Sequence, residues 1–204
     1  MNSWEVHRSR HNLLYILTDT IDSDGLRKRI WNSEIVKALR RGFNQDPLLR
    51  SLIFKLYSKC IIYESLRNEV FNTDTAGDLG RALRDGNRDV RENAISFLIA
   101  AIAHEGFRDK LFDAEIITAL EHALDDDEDP DVRRRTVEFF TAAMVQEGFG
   151  EKIFEAEIIT ALGHALYSDS STVYSLVHFF TAAISQEEFW GKLFHRENIT
   201  ALAS

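Results

Sequence analysis

The sequence predicts an all-α chain, a solenoid of about five stacked helical units of about 41 residues each. Three observations carry this. Residues 131–166 lie over residues 89–124 at an offset of 42 without a gap; over the last twelve positions only Asp113/Glu155 and Glu121/Gly163 differ. A repeat period near 40 residues is the signature of stacked supersecondary units. Within a copy, Val132, Thr136, Phe140, Ala143 and Met144 recur at helical spacing and form one apolar stripe. Only two prolines and ten glycines interrupt 204 residues, too few for a disordered linker.

The unit at 129–169 shows the pattern most fully. Asp129 is a good N-cap and Pro130 suits the first helical position, where no amide partner is lost. Gly148 is placed to turn the chain in the left-handed conformation. Phe149, Ile153 and Phe154 fill the corner as a short helical turn. A second helix then carries Ile158, Ile159, Leu162, Ala165 and Leu166 inward, and the small Ala142 and Ala143 permit close helix approach.

The pattern extends both ways. Residues 171–202 align at an offset of 40, where Phe179, Phe180, Thr181, Ala182 and Ala183 repeat Phe139 to Ala143. Upstream, Asp46 and Pro47 open a helix as Asp129 and Pro130 do, and Glu64, Arg67 and Phe71 match Glu105, Arg108 and Phe112. A more degenerate unit carries Leu17, Leu26, Trp31 and Leu39 at its apolar positions. The units run approximately 1–45, 46–86, 87–128, 129–169 and 170–204, the last incomplete, in one elongated domain over 1–204. The polar stretch from Asn2 to Asn12 is expected to cap one end. Ala201, Leu202, Ala203 and Ser204 stop inside what the pattern makes a helix, so a longer parent chain or a covering chain is expected there.

Charge is uneven. Residues 1–60 hold 11 Lys/Arg and 6 Asp/Glu, a net +5; residues 113–204 hold 6 and 18, a net −12, within an overall −9. A basic head and an acidic tail make the molecule a dipole. The lone Cys60 lies in an apolar run, reads as a buried inert thiol, and favours a reducing compartment, the cytoplasm or the nucleus. Residues 1–10 are too polar for a signal peptide, and no run approaches the ~18 apolar residues of a membrane span.

Little in the chain points to chemistry. His7 and His11 stand at i,i+4, but zinc needs three or four ligands and only Glu5 is near. His122 and His164 occupy one repeated place, and His104 corresponds to Gln146, a slot for a polar side chain. Asp125 to Asp129 lacks the central glycine of a calcium loop and reads as an inter-unit loop capped by Asp129. Arg27-Lys28-Arg29, Arg40-Arg41 and Arg133 to Arg135 have no interleaved aromatics in a chain acidic overall, a poor nucleic-acid footprint that leaves an N-terminal phosphate-binding surface as the open alternative. No glycine-rich phosphate loop, nucleophile elbow or paired-carboxylate arrangement stands out. No catalytic residue, metal site or cofactor is expected, and the chain is not expected to be an enzyme.

These units resemble armadillo repeats, with HEAT-like repeats the near alternative. Val132, the Phe140–Met144 stripe, Glu151 to Phe154, Glu155-Ala156 and the Ile159-Thr160-Ala161-Leu162…Leu166 helix fit the armadillo pattern, and the short piece from Gly148 to Phe154 favours it over two-helix HEAT units. The resemblance implies a right-handed superhelix whose long helices line a concave groove for extended peptides. Where importin-like members place Trp and Asn on that helix, this chain has Tyr15 and Asp19, Lys55 and Lys59, Ser96 and Ala100, Glu138 and Ala142, His178 and Ala182. Nuclear-import cargo binding of that sort is therefore not expected. The resemblance implies a non-catalytic scaffold binding a protein or peptide, with Tyr15, Asp19, Lys55, Lys59, Ser96, Glu138 and His178 as contacts. The alternative expectation is a structural or self-assembling module of a larger protein, working through an open C-terminal end; no membrane or nucleic-acid partner is expected.

Overall fold

The computed structural model describes residues 3–193 except Asp126, Glu147, Glu155 and Ser168; side chains before His11, and a few others within helices, are likewise outside the description. All regular structure among the described residues is helical. The contacts divide the chain after Ala101 into two compact units.

In the first unit, α1 (Ser3–Thr20) is followed by a short α2 (Asp24–Ile30) and by α3 (Ser33–Gly42). The order recurs as α4 (Pro47–Cys60), α5 (Glu64–Val70) and α6 (Thr73–Leu83), and α7 (Arg88–Ile102) starts a third copy. Asp46 caps α4 by accepting the Leu49 amide at 2.9 Å, and Pro47 occupies the first turn. Asn32 caps α3 through the Glu34 and Ile35 amides. α1 and α3 both pack on α4. Gly42 makes this possible: a Cβ there would approach Ile53 Cδ1 to 2.8 Å. The core is aromatic, with Phe43, Phe54, Tyr57, Phe71 and Phe97 all buried and Phe54 5.0 Å from Phe43 and 6.1 Å from Phe97. Each ring taken from water contributes about 1.5–3 kcal/mol. Cys60 is fully buried there and its thiol pKa is pushed up by burial, so it has little thiolate character.

In the second unit, a 3-10 turn (Glu105–Phe107) leads into α8 (Arg108–Leu111) and α9 (Ala114–Asp125). Then come α10 (Pro130–Met144), α11 (Gly150–Ile153), α12 (Ala156–Ala165), α13 (Ser170–Ile184), another 3-10 turn (Glu187–Phe189) and α14 (Trp190–Leu193). α10 packs along α13, and α9 along α12. Asp129 accepts the Asp131 amide as the expected cap, and Asp127 in turn accepts the Asp129 amide. Gly148 has φ +79°, as its place in the turn requires, although α10 has already ended at Met144.

The repeat is visible in environment as well as in sequence. Phe139 and Phe179 are both fully buried, each edge-on to the next ring, Phe140 at 5.4 Å and Phe180 at 5.3 Å. Ile116 on α9 and Ile158 on α12 are buried alike. Asn198 and the C-terminal Ala201 to Ser204 lie outside the described residues.

Candidate functional site

The positions expected to bind all fall on the long helices, Tyr15, Lys55, Ser96, Glu138 and His178 at one register and Asp19 and Lys59 one turn later. On α4, Phe54 and Leu56 point inward while Lys55 between them is exposed, as helical periodicity demands. Tyr15 and Asp19 on α1 are exposed in the same way, and Ser96 on α7 is half-buried. In the second unit Glu138 on α10 is half-buried and His178 on α13 is exposed.

The seven differ in how free they are to bind. Lys55 makes no hydrogen bond or ion pair with a described residue. Lys59 is committed: its ammonium donates to the Thr18 carbonyl at 3.2 Å and lies 3.8 Å from Asp22. The Ser96 hydroxyl donates to the Glu92 carbonyl one turn back at 2.9 Å. The Glu138 carboxylate is held between Arg134 at 2.5 Å and Arg135 at 2.9 Å. Burial works against the Arg134 charge, but Asp131 and Glu138 outweigh it and raise its pKa. His178 stands edge-on to Tyr174 at 4.6 Å, so an exposed aromatic that the sequence pattern did not single out belongs beside it. A second such feature is Tyr63, whose hydroxyl donates to Asp22 at 2.8 Å while Arg27 lies 3.8 Å over its ring. The separation of 41 residues between Asp22 and Tyr63, one repeat period, was the available signal.

The basic run is neutralised locally: Arg133 pairs with Asp169 at 3.0 Å, Arg134 with Asp131 and Glu138, and Arg135 with Glu138. His164 sits 3.1 Å from Asp125, and His11 3.7 Å from Asp46; the His7 side chain is outside the described residues. Among the described residues no group of three His, Cys, Asp or Glu side chains is gathered as a metal site. No described helix is long and apolar enough to cross a membrane.

The folded chain can be set against known structures. It matches the crystal structure of computationally designed armadillo repeat proteins for modular peptide recognition with a TM-score of 0.75, over 99% of this chain and 86% of that one, at 15% sequence identity. This chain has the armadillo-repeat fold. A second crystal structure, of an engineered protein, superposes with a TM-score of 0.68 over 99% of this chain and 92% of the other, at 13% identity. No family model and no curated protein matches the sequence. Within the armadillo fold, α1, α4, α7, α10 and α13 are the long helices of successive repeats, and the short α2, α5, α8, α11 and α14 are the pieces that set armadillo units apart from two-helix repeats.

Proposed function

We propose that this protein is a non-catalytic scaffold that holds a protein or extended peptide against the exposed register of its long helices. The observation that carries this is the recurrence: at one position per repeat the long helices present Tyr15, Lys55 and Ser96 in the first unit and Glu138 and His178 in the second, with Lys55, Ser96 and Glu138 each between buried neighbours. The peptide recognition for which the structurally similar designed armadillo proteins were made supports the same use of this surface. Tyr15, Asp19 and Lys55 in the first unit are the contacts with freely available groups; Lys59, Ser96 and Glu138 act as part of the surrounding surface; His178 acts with Tyr174. The mixture of Lys55 with Asp19 suits a partner segment of mixed charge. A lone buried Cys60 suits the reducing cytoplasm or nucleus as its place of work.

The test is affinity capture followed by crosslinking mass spectrometry, then binding measurements on variants. Lys55→Glu is expected to weaken capture about tenfold, the scale of one disrupted charged contact, while the melting temperature stays unchanged. Lys59→Glu is expected to lower the melting temperature as well, because it sets a carboxylate against the Thr18 carbonyl and Asp22. Crosslinks that avoid the long helices, or a Lys55→Glu variant that binds as the parent does, would remove this reading.

A further inference from the structure

α1, α3 and α13 leave exposed some of the positions that adjacent repeats elsewhere in the chain bury against each other. Where α10 lies on α13, Val137 and Met144 of the first helix and Leu176 and Phe179 of the second are at most 1% exposed. One end of this pattern is α1. Its Leu13 and Ile16 occupy the places of Leu176 and Phe179, yet they are 53% and 57% exposed. α3 extends the same face: Ile35 is half-buried and Ala38 exposed, while the equivalent Ile158 and Ala161 on α12 are buried where that helix lies on α9. A cavity of about 380 Å³ opens here among Leu13, Leu17, Ile35, Ala38, Leu39 and Ile53. The other end is α13. Its Val177 and Ile184 occupy the places of Val137 and Met144, and they are 56% and 47% exposed.

We propose that the α1/α3 face of one molecule receives the α13 face of a second copy, a head-to-tail contact repeating the helix pairing already present inside the chain. The pairing of α10 with α13 supplies the template: α13 of one copy takes the part of α10, and α1 of the next takes the part of α13. What marks the second copy as the occupant is twofold. Each open face carries the side-chain set that its counterpart buries within this same chain. The stretches that carry the two faces are also opposite in charge, residues 1–60 a net +5 and residues 113–204 a net −12, which favours the approach of a second copy although α13 itself holds no Asp, Glu, Lys or Arg. Such a contact is heterologous, so successive additions form rings or open chains. Leu13, Ile16, Val177 and Ile184 are not among the contacts proposed above, so the two readings are tested by different variants.

Sedimentation velocity over a concentration series tests it on the 204-residue chain. The parent protein is expected to associate with rising concentration. Leu13→Asp/Ile16→Asp and, separately, Val177→Asp/Ile184→Asp are each expected to weaken that association at least about tenfold. These four side chains are about half exposed, so thermal melts are expected to match the parent; the single variants Ile16→Gln and Val177→Gln repeat the comparison with a milder change. The deciding experiment mixes the two double variants in equal amounts. One keeps only its tail face and the other only its head face, so the mixture is expected to give a dimer and nothing larger, although neither variant associates alone. A parent that stays monomeric at every concentration overturns the proposal. So does association that survives both changes, loss on one face only (a symmetric contact), or a mixture that stays monomeric.

Discussion

Asp169 shows how much work one side chain does in this chain. Its carboxylate accepts the Ser171 and Thr172 amides, both at 3.0 Å, and the hydroxyls of the same two residues, and it meets Arg133 of the preceding repeat. Burial tends to raise its pKa, but the bonds from Ser171, Thr172 and Arg133 outweigh that and hold it well below the usual carboxylate range. A carboxylate with a depressed folded-state pKa contributes stability that is present above its unfolded pKa, near 4, and is lost as pH falls through the folded value. Asp169→Asn is therefore expected to cost about 1–2 kcal/mol at pH 7, with the gap to the parent narrowing below about pH 4. Urea titrations at several pH values measure this, and a gap that stays constant down to pH 2 counts against it. Arg67 does comparable work at the other end of a long helix. It donates to the Ile61 carbonyl at 3.0 Å and to Ile62 at 3.1 Å, as Arg27 does to Ile21 at 3.0 Å and Trp190 to Ile184 at 2.6 Å. Arg67→Ala is expected to cost about 1–3 kcal/mol, the range for leaving a partly buried carbonyl without its charged donor, read from thermal unfolding. The match of Arg67 with Arg108 was legible in the sequence. Its purpose was not, because spacing alone does not tell which carbonyl a flexible guanidinium will reach.

At the scale of elements, Arg108 on α8 turns instead to Gln146 of the next repeat at 2.6 Å, and the fourth short helix has no such side chain at all. Gly150 stands where Arg67 and Trp190 stand in their repeats, so α11 offers no side chain to the end of α10. The Met144 carbonyl is met instead by Gln186 of the next repeat at 3.4 Å, in the polar slot that His104 and Gln146 also occupy. Glycine is required here for a second reason, since a Cβ on Gly150 would fall 1.8 Å from Phe189 Cζ. Gly150→Ala is expected to destabilise by roughly 1–3 kcal/mol through overpacking, and adding Phe189→Leu is expected to recover part of it. Calorimetry on the single and double variants checks this; an additive double variant would falsify the contact argument. Helix identity, the caps at Asp46 and Asp129 and the turn at Gly148 could all be read from residue order, because each depends on neighbours one to four positions away. The state of the contact residues could not. Glu138 looks like an open acidic position until Arg134 and Arg135 are seen to hold it, and Lys59 like a free cation until the Thr18 carbonyl appears beside it.

At the scale of the whole chain, the repeat determined the fold because identical units impose identical neighbours: once 131–166 is seen to copy 89–124, the burial of Phe139 and Phe179 follows together. The terminal repeats are the exception. Their apolar stripes read like those of internal repeats, and only coordinates distinguish an Ile16 in the open from a Phe179 in the core. The charge asymmetry makes the proposed contact between copies salt-sensitive. Screening lengths fall from about 10 Å at 0.1 M to about 3 Å at 1 M, so added salt is expected to weaken association while its apolar part persists. A salt series in the ultracentrifuge reads this directly, and association that strengthens steadily from low salt would argue against charge matching.

The bonds that join one repeat to the next share a further property. Arg50 reaches Asp85, Arg40 reaches Asp78, Asn93 reaches Ser51 and Arg133 reaches Asp169, each spanning 35 to 42 residues. A chain leaving the ribosome can therefore close each of these links as soon as about forty further residues have emerged, before distant segments exist. The entropy of closing a loop grows only slowly with its length, and a fold joined by links of one repeat period can start at any repeat and spread to its neighbours.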